Sequence, residues 1–239
     1  MENFSIKRAI PNLFTFGSMA LGFVSVIRSS EGDFYTSAVL IFIAAIFDGL
    51  DGLSARLTHT SNKFGVELDS LADVVSFGLA PAYLLYSVDL NRLGNTGIFI
   101  SLLPLLAGGY RLARFNATLQ GFDKKAFSGL PIPSAAMTLA AFVLTFTPDG
   151  IVSNMNRSAM ITLIIFISLL MVSKIKYPKL PGFNKRGIKD EPVFFVLLVV
   201  SLILLLIMGF KVLFYLFFLV AVIGIFNHSY SFFFRKKST

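Results

Sequence analysis

The chain contains no cysteine, and charged residues make up only 14% of its 239 residues. Without cysteine there is no disulfide, no thiolate nucleophile and no cysteine-based metal site, so cysteine usage gives no information on redox compartment. The scarcity of charge argues against an ordinary soluble domain, in which about a quarter of the residues are charged. The sequence also shows no low-complexity tract and no convincing internal repeat.

Hydrophobic residues make up 55% of the chain, and the mean hydropathy is +0.77. A hydrocarbon core of about 30 Å requires roughly 20 helical residues. We therefore predict an all-α integral membrane protein, a bundle of about eight transmembrane helices with a six-helix core and two C-terminal helices. The charge-free runs behind this prediction are Ala9–Ile27, Phe34–Phe47, Val74–Val88, Leu93–Tyr110, Ala126–Pro148, Ser158–Ser173, Pro192–Phe210 and Val212–Phe234.

The basic residues are unevenly distributed between the connecting segments. If the amino terminus is cytoplasmic, 17 of the 21 basic residues fall on the cytoplasmic side, and only Arg28, Arg92, Arg157 and Lys211 fall on the other. The positive-inside rule then predicts that both termini are cytoplasmic, in the cell or cytoplasmic membrane. Because these charges lie in short loops and form no continuous stripe, anionic membrane lipids are a better partner for them than nucleic acid.

The longest polar connection, "KIKYPKLPGFNKRGIKDE", divides the chain unequally. We predict that residues 1–173 form the catalytic membrane core, because every polar motif of interest lies there. Residues 174–191 are expected to be a basic cytoplasmic loop. Residues 192–239 are expected to form two further helices and a basic tail that add surface facing lipid or another subunit.

Acidic residues interrupt the apolar pattern in "FDGLDGLSARLTHTSNKFGVELDSLAD" (47–73). Asp48 and Asp51 are spaced i, i+3, and Asp69 and Asp73 are spaced i, i+4, so each pair shares one helix face. The short polar segment between the pairs, "RLTHTSNKF", is typical of a turn between antiparallel helices at the membrane surface. Folding back at this turn brings the four carboxylates together at similar depth.

Four carboxylates in a region of low dielectric constant repel one another unless cations neutralise them. All-oxygen ligands favour hard ions, so we predict Mg²⁺ or Mn²⁺, with Ca²⁺ also possible, and four carboxylates could balance two such ions. Two hard cations in a surface cleft suit phosphoryl transfer. His59 in the polar turn is expected to be solvated, and Glu67 is expected to be structural or capping, since it points to another face.

Two further sets of residues have two interpretations each. The small residues Gly49, Gly52, Ala55 and Gly65 allow close approach either of a neighbouring helix or of a ligand. Arg111 and Arg114, spaced i, i+3 at the end of the fourth predicted span, either bind a carboxylate or phosphate of the substrates or anchor the helix at the lipid headgroups.

The fixed positions Asp48-x2-Asp51-Gly52-x2-Ala55-Arg56-x8-Gly65-x3-Asp69-x3-Asp73 resemble the complete signature of the CDP-alcohol phosphotransferase family. "ELDSLADVVSFGLAPA", "RLARFN", "GLPIPSAA" and "IPNLFTFGSMALGF" look like its phosphatidylserine synthase branch. Sister enzymes that make phosphatidylglycerol phosphate usually have proline shortly after the third acidic position, whereas this chain has Ser70 and Leu71 there. The resemblance covers about the first 140 residues.

The resemblance implies a homodimeric membrane enzyme that uses divalent metal, Mg²⁺ or Mn²⁺, to transfer the phosphatidyl group of CDP-diacylglycerol to L-serine, giving phosphatidylserine and CMP. In matching positions, Asp48, Asp51 and Asp69 would bind metal, and Asp73 would be metal-linked and the general base. The positions matching the CDP site are Gly52, Ala55, Arg56 and Gly65, with Asn12 and Thr15 near the nucleotide or its phosphates.

Alternative functions remain open at this level. The same chemistry could use another alcohol, such as inositol, glycerol phosphate or choline, or an archaeal ether-lipid donor. Intramembrane aspartates also serve ion and proton transporters. Against a transporter, the later predicted spans contain no second acidic cluster, and the acidic residues lie near one membrane face, where a pathway needs access from both.

Overall fold

The protein is described by a computed structural model that covers residues 6–58, 63–117, 126–147, 150–178, 209 and 211–235. A π-helical segment, Val74–Leu79, joins α3 to α4 without a break, and a 3-10 turn, Leu90–Leu93, precedes α5. The described residues form eight α-helices, which are α1 Ile6–Ser30, α2 Phe34–Thr58, α3 Lys63–Asp73, α4 Ala80–Val88, α5 Asn95–Ala117, α6 Ile132–Phe146, α7 Asn154–Val172 and α8 Lys211–Arg235. The predicted all-α fold is confirmed.

In the part of the chain that the structure describes, five helical segments are long and apolar enough to cross a membrane. They are Pro11–Ser30, Phe34–Ala55, Phe64–Val88, Asn95–Ala117 and Asn154–Val172, and Ile132–Phe146 and Lys211–Phe226 are shorter apolar helices. The predicted number of eight is not confirmed, because the predicted span Pro192–Phe210 lies, apart from Gly209, outside the described residues. The predicted span that starts at Ala126 is also corrected: its first residues form a β-strand, and the helix begins only at Ile132.

Small and hydroxylated residues hold α1 against its neighbours. Gly22 faces the π-helical segment so closely that a Cβ atom there would lie 2.6 Å from Ser76 Cα. The Ser76 hydroxyl donates to the Ser18 carbonyl at 2.9 Å, and the Ser18 hydroxyl donates to the Ala44 carbonyl of α2 at 3.1 Å. In an apolar environment, such bonds satisfy the hydroxyl groups and allow close helix packing. They tie α1, α2 and the π-helical segment together one turn from the acidic residues.

Helix α6 lies at the centre of the bundle. Leu139, Ala140 and Ala141 are almost completely buried, because α6 packs against α2, the π-helical segment, α7 and α8. Helix α8 covers it through aromatic contacts, of which Phe142 with Phe214 is an edge-on pair at 5.7 Å. Burying α6 on all sides explains why an apolar helix of only 15 residues belongs to the core.

A short antiparallel strand pair closes one end of the bundle. It joins β1, Ala126–Ser128, to β2, Lys176–Pro178, so the start of the predicted loop 174–191 is ordered as a strand. Tyr177 of β2 is buried, and its hydroxyl donates to the Ala221 carbonyl of α8 at 3.0 Å. Burial raises the pKa of Tyr177 to about 12, so the phenol remains a hydrogen-bond donor at neutral pH. This contact attaches α8 to the strand pair.

An ion pair joins α4 and α7 at the opposite end of the bundle. Asp89 is completely buried, and it accepts hydrogen bonds from Arg157 Nε at 2.5 Å and Nη2 at 2.8 Å. Arg92 Nε lies 3.8 Å from the same carboxylate, but its side chain is 62% exposed. The two-point contact with Arg157 is therefore the interaction that neutralises Asp89.

We predict that Arg157→Ala lowers the free energy of unfolding by about 3 kcal/mol, because it leaves a buried carboxylate without its partner. Arg92→Ala is the matched control, and it should cost less than about 1 kcal/mol because the Arg92 side chain is mainly in solvent. Thermal unfolding in detergent micelles measures both variants. Equal unfolding temperatures for the two variants would contradict this assignment.

Candidate metal centre

The four predicted aspartates lie on two helices that run in opposite directions. Helix α2 carries Asp48 and Asp51 near its C-terminal end, and α3 carries Asp69 and Asp73, beginning five residues after α2 ends. Because each pair is spaced by about one helical turn, both pairs can face the shared interface. The two predicted helices are therefore present, and the predicted turn between them, residues 59–62, lies outside the described residues.

The structure brings the four carboxyl groups together. Asp48, Asp51 and Asp69 each offer one oxygen atom, and these atoms all lie within 4.8 Å of one another. Asp73 lies beside Asp48, within hydrogen-bonding reach of its carboxyl group. Asp51 and Asp73 are buried, whereas Asp48 and Asp69 are half-buried. The cluster is therefore set into the protein, with its two half-buried members open to one side.

Helix α1 contributes a hydrogen bond to this cluster. Thr15 Oγ1 donates to Asp51 Oδ2 at 2.8 Å, and it also lies 3.1 Å from the Pro11 carbonyl. Asn12 is half-buried one turn earlier on the same helix. Thr15 thus orients one of the carboxylates directly, and the predicted role of Asn12 and Thr15 at a nucleotide stays a prediction.

The residues fit a hard divalent cation. All of the possible ligand atoms are carboxylate oxygens, the donors that Mg²⁺, Mn²⁺ and Ca²⁺ prefer. Asp73 Oδ1 is buried and has no hydrogen-bond partner among the described residues, as expected for an atom that a cation would contact. Elsewhere in the described ranges, no other group of three or more histidine or acidic side chains converges in this way. Converging carboxylates without a cation would be strongly unfavourable.

The space beside the cluster is open. A Cβ atom at Gly49 or Gly52 would meet nothing within 4 Å, in contrast to Gly22, which is tightly packed. Gly49 and Gly52 therefore do not serve close packing against a described helix, and this favours their interpretation as room for a ligand. Ala55 and Gly65 are half-buried near the same turn.

Two predictions in this region lie partly or wholly outside the described residues. The side chain of Arg56 and the whole of His59 are not described. The predicted contact of Arg56 with the CDP site therefore stays a prediction.

The two predicted arginines have different surroundings. Arg111 is buried, and its guanidinium lies close enough to Asp73 to interact with it electrostatically. The Arg114 guanidinium donates to the carbonyls of Val172 at 2.6 Å and Ser173 at 3.0 Å at the end of α7, and to the Ser128 carbonyl of β1 at 2.9 Å. Arg111 is thus placed at the acidic cluster. The contacts of Arg114 favour a role in holding helix ends together, and its predicted substrate contact stays a prediction.

Sequence reasoning missed a polar contact between α3 and α5. Asn116 Nδ2 donates to Ser70 Oγ at 3.0 Å and to Glu67 Oε2 at 3.4 Å. Glu67 was expected to be structural or capping, and Asn116 had no assigned role. Helices α5 and α3 run in opposite directions, so Asn116 lies beside Glu67 and Ser70 while Arg111 lies beside Asp73. Because this contact depends on how two separate helices pack, no local sequence pattern could have indicated it.

Comparison with known proteins agrees with this geometry. The profile of the CDP-alcohol phosphatidyltransferase family matches residues 8–172. The chain is 38% identical over 192 residues to a CDP-diacylglycerol–serine O-phosphatidyltransferase of Helicobacter pylori, covering 80% of this chain and 79% of that protein. It is 39% identical over 178 residues to an archaetidylserine synthase of Methanothermobacter thermautotrophicus, covering 73% and 71%. It is 35% identical over 169 residues to a Bacillus subtilis CDP-diacylglycerol–serine O-phosphatidyltransferase, covering 71% and 89%.

We predict that the purified protein binds Mn²⁺ and that Asp51→Asn weakens this binding by at least about tenfold, because it removes a charged oxygen ligand. Thr15→Val should weaken it by about tenfold, because Asp51 loses the hydrogen bond that orients it. Titration of free Mn²⁺ by electron paramagnetic resonance measures both effects.

Asp33→Asn is the matched control for these variants. Asp33 lies at the other end of α2, and hydrogen bonds from the Thr36 side chain and backbone hold the pKa of Asp33 below its ordinary value. It is therefore a second ionised aspartate on which Mn²⁺ binding should not depend. Unchanged Mn²⁺ affinity in Asp51→Asn would show that the cluster is not the metal centre.

Proposed function

The chain belongs to the CDP-alcohol phosphatidyltransferase family, and from that membership we propose that it transfers the phosphatidyl group of CDP-diacylglycerol to the hydroxyl of L-serine. The products are phosphatidylserine and CMP. The observation that carries the proposal is the convergence of Asp48, Asp51, Asp69 and Asp73 beside an open helix face. The names of the similar Helicobacter pylori and Bacillus subtilis proteins support serine as the acceptor.

The acidic cluster supplies the metal ligands in this proposal. The carboxylates of Asp48, Asp51, Asp69 and Asp73 would hold Mg²⁺ or Mn²⁺. Four carboxylates balance the charge of two such ions. Ca²⁺ also fits these ligands. A metal held by these residues would supply the positive charge that offsets the pyrophosphate of the donor and the charge on CMP.

The donor is proposed to lie along α1 and α2. Gly52, Ala55, Arg56 and Gly65, with Asn12 and Thr15, would accommodate the CDP group. Beside the cluster, large apolar side chains of these two helices point outward, and Leu13 and Ile46 are 72% and 61% exposed. In a membrane this apolar surface faces lipid, so the acyl chains of the donor can stay in the bilayer while the pyrophosphate reaches the carboxylates.

Asp73 is the proposed general base. The serine hydroxyl has a pKa far above 7, so it needs a base to become nucleophilic. Asp73 would take the proton as the serine oxygen attacks the β-phosphorus, a new P–O bond forms, and the bond to CMP breaks with its electrons leaving on CMP. Arg111, next to Asp73, would bind the carboxylate of serine or the transferred phosphate, and Arg114 would keep α5 and α7 in place.

The proposed orientation in the membrane comes from the charge distribution, and the proposed assembly comes from the family resemblance. The chain is an integral membrane protein, and we infer from the positive-inside rule that the acidic cluster and both termini face the cytoplasm. Residues 1–173 would perform the reaction, residues 174–191 would contact the headgroup region, and residues 192–239 would add surface. The expected assembly is a homodimer.

The nature of the lipid donor has a second candidate. The similarity to an archaetidylserine synthase favours an archaeal ether-lipid donor as the alternative to CDP-diacylglycerol, with serine retained as acceptor. The exposed apolar side chains beside the cluster suit either kind of hydrocarbon chain. Another acceptor, such as inositol, glycerol phosphate or choline, has no supporting contact in the described structure.

The first test is release of CMP by the purified protein with CDP-diacylglycerol, Mn²⁺ or Mg²⁺, and a panel of alcohols. We expect release with L-serine, and we expect chelation of divalent metal to abolish it, because the carboxylate cluster cannot hold the pyrophosphate without cations. Inositol, glycerol phosphate and choline are the comparison acceptors. Full activity after exhaustive chelation, or release with one of these alcohols only, would overturn the proposal.

Asp73→Asn tests the assigned base. We predict a decrease in kcat of about 10²-fold or more with CDP-diacylglycerol binding changed only slightly, because the amide cannot accept the hydroxyl proton. Turnover and binding of radiolabelled CDP-diacylglycerol are measured separately, and Asp33→Asn is the control. Turnover close to that of the wild type would exclude Asp73 as the base.

A further inference from the structure

A polar track runs along the interface between α3 and α5 and ends at Asp73. Its members on α3 are spaced at three-residue intervals: Glu67 is exposed, Ser70 is half-buried and Asp73 is buried. From α5, Asn116 reaches the first two through its Nδ2 atom, at 3.4 Å and 3.0 Å. The track therefore leads from the exposed end of α3 to the proposed base.

Acceptor atoms exceed the available donors in this track. The Ser70 hydroxyl donates to the Val66 carbonyl at 3.1 Å, and Asn116 Nδ2 is already directed to Ser70 and Glu67. Because the Glu67 carboxylate can only accept, the amide nitrogen must face it, and this leaves Asn116 Oδ1 on the other side. Asn116 Oδ1 has no hydrogen-bond partner within the described part of the chain.

This combination of groups has a definite chemical preference. A carboxylate, an amide oxygen and a hydroxyl oxygen match a cation that carries several N–H donors and no acceptor, which is an ammonium group. The same carboxylate repels a phosphate or a second carboxylate. The track is therefore unsuited to an acceptor that carries a phosphate, such as glycerol phosphate.

The spacing along α3 suits a small amino alcohol. Glu67 and Asp73 are six residues apart, which corresponds to about 9 Å along the helix axis and about 120° around it. The Glu67 side chain extends toward Ser70, because Asn116 Nδ2 donates to both side chains. An ammonium nitrogen and a hydroxyl oxygen on neighbouring carbons are about 3 Å apart, and a hydrogen bond at each end adds roughly 2.8 Å, which gives a total near 9 Å. One molecule can thus contact Glu67 with its ammonium group and Asp73 with its hydroxyl.

We propose that Glu67, Ser70 and Asn116 form the subsite for the ammonium group of the acceptor and so determine its chemical class. The inference rests on the proposed function and adds the residues that distinguish an amino alcohol from other alcohols. The hydroxyl of the same molecule would face Asp73, and the carboxylate of the acceptor would face Arg111, which lies next to Asp73.

The test compares L-serine with 3-hydroxypropanoate, which is serine without its ammonium group. Release of CMP by the full chain is followed with CDP-diacylglycerol and Mn²⁺, with 3-hydroxypropanoate used as substrate or as competitive inhibitor. Glu67→Gln should raise the KM for serine at least about tenfold with kcat within about twofold, because a charge-assisted hydrogen bond is lost. The KM or inhibition constant of 3-hydroxypropanoate should change less than about twofold, because that molecule has no ammonium group that could contact Glu67.

Two further variants separate recognition from folding. Glu67→Asp keeps the charge and should retain most of the affinity for serine, whereas Asn116→Leu should raise the KM for serine but not the constant for 3-hydroxypropanoate. Mn²⁺ affinity and unfolding temperature, measured alongside, show whether Asn116→Leu keeps the fold. Glu31→Gln is the matched control, because Glu31 is an exposed glutamate paired with Arg28 at the other end of the bundle.

The outcomes distinguish this inference from the proposed function. If the wild type uses serine but Glu67→Gln leaves the KM for serine unchanged, the subsite is wrong and the proposed function stands. The same conclusion follows if Glu67→Gln raises the constants for serine and 3-hydroxypropanoate by the same factor. If the wild type uses ethanolamine in place of serine and Glu67→Gln raises the KM for ethanolamine, the subsite stands and the proposed acceptor is wrong. If only alcohols without an ammonium group are used, both are overturned.

Discussion

The mutual repulsion of four carboxylates in the membrane-embedded part of the protein is the constraint on which the rest of the structure depends. Asp48, Asp51, Asp69 and Asp73 can approach one another only if positive charge and hydrogen-bond donors are supplied around them. The chain supplies a hydroxyl from α1 through Thr15 and a guanidinium from α5. Divalent cations are the further compensation that we propose, and a pyrophosphate would bind at such a surface through them.

The packing of the first three helices keeps these groups in register. Hydroxyl-to-carbonyl bonds of Ser18 and Ser76, together with the close approach at Gly22, connect α1, α2 and the π-helical segment directly below the aspartates. A π-helical segment adds a residue to the helical turn and often marks a functional site. Here it follows Asp73 immediately, so the bonds of Ser76 act on the helix that carries the proposed base.

Side-chain contacts of the remaining helices stabilise the two ends of the bundle. At the end with the acidic cluster, Arg114 joins α5 to the last carbonyls of α7, and the strand pair β1–β2 attaches α8. At the other end, Asp89 and Arg157 join α4 to α7. Side-chain contacts thus fix both ends of the bundle, while the helix face at Gly49 and Gly52 beside the acidic cluster stays open.

The sequence by itself determined the class of the protein and the location of its chemistry. Long apolar runs, the spacing of the aspartates and the short polar turn between them are local features, and local helix geometry is enough to convert them into a helical membrane protein with a carboxylate cluster. Tertiary structure decided the contacts of the three polar residues in "RLARFN". Arg111 lies near Asp73, Arg114 binds the end of α7, and Asn116 binds side chains of α3. These contacts join residues 38 to 58 positions apart, so they depend on how separate helices pack, which no local pattern contains.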